Sequence, residues 1–188
     1  AERVHIDITD GEFAPTFTVG ISDLWVPAGW SVGLHVMAYD LENFVPKLIA
    51  LKSNMIIIHA EARGDVAAYL RLIKQAGIKA GLALLRPTVP SSVAPLIQEA
   101  EHVLIFSGEL GRFGGTASLM QLEKIRLIKA INPNVEIGWD GGVTVDNAYS
   151  LVQGGVDVLA VGGAIHKASD PHASFSRLQQ EIAKTGVL

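Results

Sequence analysis

Residues 54–85, NMIIIHAEARGDVAAYLRLIKQAGIKAGLALL, predict one complete strand–helix–strand unit. Residues 55–58 are apolar on both faces, which is typical of a parallel strand covered by helices. Over residues 65–75 the apolar side chains recur at helical spacing and fall on one face. Gly77 marks the expected end of that helix, and residues 78–85 form a second apolar run. The stretch therefore predicts two parallel strands joined by a helix.

The same alternation recurs along the rest of the chain. Apolar runs begin at intervals of roughly 25 residues, with helical stretches such as residues 119–131 between them. Residues 12–30 differ, because they contain Pro15 and Pro27 and have little helical period, so a connection that is mostly loop is expected there. The predicted strands begin near Val4, Ser31, Asn54, Lys79, His102, Val135 and Asp157.

Length and alternation together predict an α/β fold, a TIM-type (β/α) barrel truncated to about seven parallel βα units. The chain has 188 residues and is 49% hydrophobic, which suits one domain over residues 1–188. An intact eight-unit barrel needs at least about 200 residues. The chain contains neither a Gly-x-Gly-x-x-Gly sequence nor a Walker sequence, which favours a barrel over a nucleotide-binding doubly wound sheet.

Charge and composition exclude several classes of function. The net charge of −4 provides no basic field for nucleic acid or an anionic membrane. The absence of cysteine excludes disulfides and thiolate chemistry. No apolar run reaches the roughly 18 residues of a membrane span, and residues 1–7 show no basic segment followed by an apolar one, so no signal peptide is expected. A cytoplasmic protein is therefore expected.

Polar side chains occur at the ends of the predicted strands, where barrel enzymes place their active sites. His5 and Asp7 are two residues apart on the first strand and so share a face, while His35 and Asp140 belong to the second and sixth strands. A buried carboxylate costs several kcal/mol unless it is paired or metal-bound, whereas a single buried histidine is commonly a hydrogen-bonded core residue. Together the four predict a site for one divalent ion, Zn, Fe, Mn or Co.

Three glycine pairs follow the last three predicted strands. Backbone N–H groups in such loops can bind a phosphate, and barrels commonly build phosphate sites from the loops after the last strands. Each pair by itself is also compatible with a tight turn. The pairs are Gly114 and Gly115, Gly141 and Gly142, and Gly162 and Gly163.

Residues 4–15, VHIDITDGEFAP, resemble the His-x-Asp-x-Met-Asp-Gly-x-Phe-x-Pro signature of the ribulose-phosphate 3-epimerase family. The resemblance extends over the whole chain, although the family's first strand and helix have no counterpart and Thr9 stands where the family has methionine. The other matching segments are residues 34–37 (LHVM), 55–62 (MIIIHAEA), 113–115 (FGG), 139–143 (WDGGV) and 161–165 (VGGAI).

The resemblance implies an isomerase of carbohydrate metabolism with a known set of site residues. In that family the residues at the positions of His5, Asp7, His35 and Asp140 bind the metal, and the two aspartates form the acid/base pair. The same likeness implies contacts of His35 and Met37 with the substrate, and of the six glycines with its phosphate. The expected reaction is metal-dependent epimerisation at C3 of a ketose phosphate, from D-ribulose 5-phosphate to D-xylulose 5-phosphate, through an enediolate.

Two other functions remain open at this point. One is epimerisation of allulose 6-phosphate, and the other is a non-catalytic barrel that binds a sugar phosphate. A related decarboxylase or synthase is disfavoured, because residues 59–63 (HAEAR) lack the lysine of the Asp-x-Lys-x-x-Asp strand found in those enzymes.

The expected partners are a sugar phosphate and further copies of the chain. Without the family's opening βα unit, the first and last strands would border a seam with exposed apolar surface. A homodimer or higher homo-oligomer covering that seam is expected, with no nucleic acid or membrane partner. Candidate covering residues are Phe13, Phe17, Ile21, Leu24, Trp25 and Trp30.

Overall fold

Seven parallel strands form a single sheet whose hydrogen-bonded order follows the chain from first to last. The computed structural model describes residues 3–112 and 114–184, so Phe113 of the first glycine motif lies outside the described residues. The strands are β1 (Val4–Thr9), β2 (Val32–Met37), β3 (Met55–His59), β4 (Lys79–Leu84), β5 (His102–Phe106), β6 (Glu136–Asp140) and β7 (Val158–Ala160).

Helices alternate with these strands as predicted. The helix expected over residues 65–75 begins where Asp65 accepts a hydrogen bond from the Ala68 N–H at 3.0 Å, and Gly77 follows its end with a φ of 74°. The helices are α1 (Leu41–Ala50), α2 (Val66–Gln75), α3 (Ala94–Glu99), α4 (Glu123–Ile131), α5 (Val145–Gln153), α6 (Gly163–His166) and α7 (Pro171–Ile182).

Short 3₁₀ turns account for the remaining regular structure. Residues 12–30 contain only the turn Ile21–Asp23, which confirms the prediction of a mostly irregular connection. The predicted helix at 119–131 begins with the 3₁₀ turn Leu119–Leu122 before α4, and a third turn, Pro90–Val93, precedes α3. Among the described residues, no helix is both long and apolar enough to cross a membrane.

The sheet curls so strongly that β1 and β6 face each other. In a flat sheet these strands would lie about 24 Å apart, five strand spacings of about 4.8 Å. Instead, the Arg3 guanidinium donates two hydrogen bonds to Glu136, at 2.9 and 2.7 Å, beside the first residues of both strands. Atoms of Asp7 and Asp140 lie within 4.8 Å of each other at the opposite ends. The predicted truncated TIM-type barrel is therefore confirmed as a partial barrel.

Alternate residues of each strand point into the barrel or outward under the helices. The outward set, with Leu34, Ile56 and Trp139 among it, belongs to the main hydrophobic core beneath the helices. The inward set has an apolar middle layer and polar layers at both ends of the strands. The middle layer consists of Met55, Ile57, Ala83 and Leu104. The polar layer at the carboxyl ends holds the predicted site residues.

Candidate active site

The four predicted metal ligands converge at the carboxyl ends of β1, β2 and β6. One ligand atom from each of His5, Asp7, His35 and Asp140 can be chosen so that all four lie within 4.8 Å of one another. His35 Nδ1 lies 2.9 Å from Asp7 Oδ1 and 3.6 Å from Asp140 Oδ2. His5 Nε2 lies 3.3 Å from Asp7 Oδ1 and 3.8 Å from Asp140 Oδ2.

Local register and global curvature each contribute to this convergence. Asp7 and His35 are directly opposite each other in the β1–β2 ladder, so their side chains meet on the inner face. His5 precedes Asp7 by two residues and therefore points the same way. Asp140 is the last residue of β6, and only the curl of the sheet brings it to this cluster. His35 is fully buried, whereas the other three side chains are partly exposed.

The two carboxyl groups have different electrostatic environments. Burial works against the charged form of Asp7, but its interactions with His35 and His5 outweigh burial and hold its pKa below the ordinary value. Burial raises the pKa of Asp140 and lowers the pKa of His35. For His5, burial alone would lower the pKa, but the neighbouring carboxylates outweigh it and raise the pKa. Carboxyl groups whose pKa values are driven apart are suited to serve as one proton acceptor and one proton donor.

The donor set fits a divalent transition ion. Two imidazoles and two carboxylates are ligands that Zn²⁺, Fe²⁺, Mn²⁺ and Co²⁺ accept. Within the described part of the chain, the buried His5 Nε2 makes no well-formed hydrogen bond, although Asp7 Oδ1 and Asp140 Oδ2 lie 3.3 and 3.8 Å from it. A cation placed among these atoms would satisfy the nitrogen and the carboxylates together.

Two further polar residues, to which the sequence assigned no role, lie directly behind this cluster. His59 Nε2 lies 2.9 Å from His35 Nε2, and His59 Nδ1 lies 3.1 Å from Glu61 Oε2. The available signal was the pair of polar residues at the end of β3, matching the ends of β1 and β6. Lys124 was also missed: its ammonium donates to the Leu85 carbonyl at 2.6 Å, and burial lowers its pKa to about 8.

An apolar wall borders the cluster on one side. Met37 is buried and packs in a small core with Phe13, Ala14 and Phe106. The Phe13 ring centroid lies 4.6 Å from that of His59, so the same wall covers the histidines. The structure thus places the predicted substrate residue Met37 on the strand of His35, two residues further along.

The six predicted phosphate-binding glycines form two groups. A Cβ atom on Gly163 would lie 3.3 Å from the Gly114 Cα, so these two backbones are adjacent, while Cβ atoms on Gly115 and Gly162 would meet nothing within 4 Å. Gly141, by contrast, packs against the backbone of Gly108, and Gly142 packs against that of Ala117. These last two glycines therefore have a structural role in holding the segment after β5.

Replacing Gly141 with alanine should lower the free energy of unfolding by at least about 3 kcal/mol. Its φ of 102° is strained for any side chain, and the added methyl group would overlap the backbone of Gly108. Gly29→Ala is the matched control, because Gly29 has a φ of 83° but open space around it, and about 1 kcal/mol is expected. Urea unfolding measures the free energy of unfolding of both variants. Equal losses of stability in Gly141→Ala and Gly29→Ala would contradict the packing role of Gly141.

Comparisons with known proteins agree with one another. The sequence model of the Ribulose-phosphate 3 epimerase family matches residues 1–166. Ribulose-phosphate 3-epimerase from Aquifex aeolicus is 31% identical over 186 residues, covering 95% of this chain and 84% of that protein. The Helicobacter pylori strain 26695 enzyme of the same name is 33% identical over 187 residues, covering 95% and 86%. The Escherichia coli K12 enzyme is 28% identical over 193 residues, covering 98% and 85%.

Solved structures share the fold at lower identity. 3-Hexulose-6-phosphate synthase from Salmonella typhimurium superimposes with a TM-score of 0.63 at 16% identity, covering 81% of this chain and 73% of that one. Orotidine 5'-phosphate decarboxylase from Pyrococcus horikoshii gives a TM-score of 0.61 at 16% identity, covering 84% and 76%. At these identities the likeness establishes the barrel-type fold alone.

Proposed function

The chain belongs to the ribulose-phosphate 3-epimerase family and is an epimerase-type isomerase, and from this premise we propose that it interconverts D-ribulose 5-phosphate and D-xylulose 5-phosphate with one bound divalent ion. The observation that carries the proposal is the convergence of His5, Asp7, His35 and Asp140 at the carboxyl ends of the strands. A protein that only binds sugar phosphates has no need of two costly carboxylates at one point in a barrel interior.

These four side chains would hold the metal ion, whose identity among Zn, Fe, Mn and Co is open. When bound, such an ion supplies Lewis-acid stabilisation of the negative charge that develops on the substrate oxygens. The fully buried His35 and the half-buried His5 approach from neighbouring positions of β1 and β2. Asp7 and Asp140 complete the set, each with a second carboxylate oxygen available for the substrate.

Inversion at C3 requires a proton to leave one face of the carbon and another to arrive on the opposite face. Asp7 on β1 and Asp140 on β6 reach the same point from opposite walls of the barrel, so they are placed as the two proton carriers. In either direction of the reaction one of the two carboxyl groups accepts the C3 proton and the other donates a proton to the opposite face, and the reverse direction exchanges these roles. The intermediate between the two transfers is an enediolate.

Binding and water exclusion fall to other residues of the same barrel end. The backbones at Gly114, Gly115, Gly162 and Gly163 are proposed to bind the phosphate, with support from the loops of Gly141 and Gly142. His35 and Met37 are proposed to contact the sugar, and the apolar wall around Met37 limits water at the reacting carbon. Anchoring the phosphate holds C3 between the two aspartates.

Solvent isotope exchange tests the proposal directly. The purified, metal-loaded protein is incubated with D-ribulose 5-phosphate in D₂O, and deuterium at C3 is followed by NMR. Xylulose 5-phosphate labelled at C3 is the expected product, and an absence of both exchange and product would overturn the proposal. Allulose 6-phosphate is run in parallel, and a higher kcat/KM on that substrate would reassign the substrate to a hexulose phosphate.

We also propose that the chain forms a homodimer or higher homo-oligomer. Of the six candidate covering residues, Phe13 is buried and Ile21 and Leu24 pack on the core, but the side chains of Phe17, Trp25 and Trp30 are 83%, 72% and 57% exposed. Large aromatic groups clustered in one irregular segment are typical of an interaction surface.

Sedimentation velocity is expected to show a dimer or larger species at micromolar concentration. The double variant Trp25→Ser/Trp30→Ser is expected to shift the chain toward monomer, because it removes apolar area that association would bury. Leu72→Ser, at a 39% exposed position on α2, is the control and should leave the distribution unchanged. A wild-type protein that stays monomeric at all concentrations would contradict this prediction.

A further inference from the structure

We propose that Glu61, acting through His59, holds His35 in the tautomer that presents an unprotonated Nδ1 to the metal ion. The inference rests on the proposed function, because it assigns the metal-binding nitrogen of the same site. Neither Glu61 nor His59 is among the four residues that surround the metal position. Both are therefore positioning residues.

A continuous chain of hydrogen bonds connects Glu61 to the metal position. Glu61 Oε2 lies 3.1 Å from His59 Nδ1, and His59 Nε2 lies 2.9 Å from His35 Nε2. The other nitrogen of His35, Nδ1, faces Asp7 at 2.9 Å and Asp140 at 3.6 Å. Each imidazole in the chain thus uses one nitrogen toward Glu61 and the other toward the metal position.

With a cation at the cluster, Asp7 and Asp140 would face that cation instead of accepting a hydrogen from His35 Nδ1, so Glu61 is the carboxylate that sets the position of each hydrogen along this chain. Glu61 in its ionised form only accepts, so His59 Nδ1 carries a hydrogen. The Nε2 of a neutral His59 is then an acceptor, and His35 Nε2 must donate to it. Consequently His35 Nδ1 keeps its lone pair, and that lone pair points at the two carboxylates where a cation is expected.

Contacts around Glu61 keep it ionised and oriented. Its Oε1 accepts a hydrogen bond from the Leu85 N–H at 2.9 Å and another from the Thr88 hydroxyl. Burial opposes the charge, but the hydrogen bonds to His59, Thr88 and Leu85 outweigh burial and lower the pKa of Glu61. The Leu85 N–H is a donor that cannot reverse, so this oxygen must remain an acceptor.

Burial removes the competing partners that water would offer. His35 and His59 are both 0% exposed. The Phe13 ring centroid lies 4.6 Å from that of His59, and the Phe106 centroid lies 6.0 Å from that of His35. Since no bulk water reaches either imidazole, the protein hydrogen bonds alone select the tautomer.

Glu61→Gln tests the relay with a side chain of the same shape. The carboxylate of Glu61 accepts hydrogen bonds with both oxygens, one facing His59 and the other facing Leu85, whereas a glutamine amide has only one acceptor oxygen. We expect that oxygen to stay on the Leu85 N–H, which has no other orientation, and the amide NH₂ to face His59 Nδ1. His59 would then protonate Nε2, and His35 would have to protonate Nδ1 and lose its lone pair toward the metal.

Metal affinity is the readout, measured by competition with a chelator using Zn²⁺ and Co²⁺ and no substrate. Glu61→Gln is expected to bind either ion about 10- to 100-fold more weakly than the wild type. The control is Glu99→Gln, which loses a partly exposed ion pair with Lys74 and should stay within about twofold of wild type. A folded Glu61→Gln variant with wild-type affinity overturns the relay, as does a wild type that binds neither ion.

A spectroscopic measurement on the wild type tests the tautomers of His35 and His59 even if the Glu61→Gln variant does not fold. In ¹⁵N NMR spectra of the Zn²⁺-loaded protein, we expect a hydrogen on His59 Nδ1 and on His35 Nε2, and the reverse assignment overturns the relay. Failure of the proposed function looks different: the loaded wild type would show the relay and the affinity loss but no exchange at C3 of ribulose 5-phosphate.

Discussion

Asp140→Asn is expected to lower kcat for ribulose 5-phosphate epimerisation by about 1000-fold or more, and Asp7→Asn by a similar factor. An asparagine amide cannot take up or release a proton at neutral pH, and losing one positioned acid or base typically costs 10²- to 10⁴-fold in rate. Both carboxyl groups lie at the metal cluster, so their effects are expected to exceed those of the neighbouring substitutions.

The two variants should differ in isotope exchange although both lose turnover. Each keeps one of the two proton carriers, so each should exchange the C3 hydrogen of one epimer with solvent while failing to complete the inversion. One variant is therefore expected to label ribulose 5-phosphate and the other to label xylulose 5-phosphate.

Asp146→Asn is the matched control, since Asp146 is exposed on α5. Its turnover should equal that of the wild type. Metal content is measured on every variant, because an amide is also a weaker ligand than a carboxylate. Wild-type turnover in either Asp7→Asn or Asp140→Asn would contradict the proposal that both carboxyl groups transfer protons.

Removal of the metal is expected to lower activity at least 100-fold, and about one equivalent of divalent ion per chain should restore it. Deprotonation next to a carbonyl develops negative charge on the substrate oxygens, and a divalent cation at the cluster would stabilise that charge as a Lewis acid. The chelator-treated protein is titrated separately with Zn, Fe, Mn and Co. A coupled assay measures the activity lost and regained, and elemental analysis measures the metal bound per chain.

The same treatment should lower stability, because a ligand that binds only the folded state stabilises it. His35→Asn should not regain activity on adding metal, since it lacks the Nδ1 that faces both aspartates. His172→Asn, at an exposed position on α7, should behave as the wild type. Full activity in protein shown by elemental analysis to hold no divalent ion would contradict the metal requirement.

Sequence periodicity determined the architecture because it is a local property. The apolar runs and helical stretches predicted seven parallel βα units, and the strands begin within one residue of the predicted positions. His5 and Asp7 were predicted to share a face because side chains alternate along any strand. The loop character of residues 12–30 followed from Pro15 and Pro27 in the same way.

Contacts between distant strands and loops needed the tertiary structure. Nothing in its helical segment marked Lys124 as buried, because its burial depends on the Leu85 carbonyl, which belongs to a different βα unit. Gly141 and Gly142 were predicted to bind phosphate, and only the tertiary structure shows that both also pack against the backbone of the segment after β5. Each depends on how loops pack, and local periodicity does not specify that.

The sequence by itself determined the βα order and the residues available for chemistry, while only the tertiary structure decided which atoms meet. Asp7 and Asp140 are separated by most of the chain, and they converge because the twist of each strand pair accumulates over the sheet until β6 faces β1. His59 became part of the site for a related reason: it lies one strand beyond His35 on the inner face of the same curved sheet, where its imidazole contacts His35 with one nitrogen and Glu61 with the other.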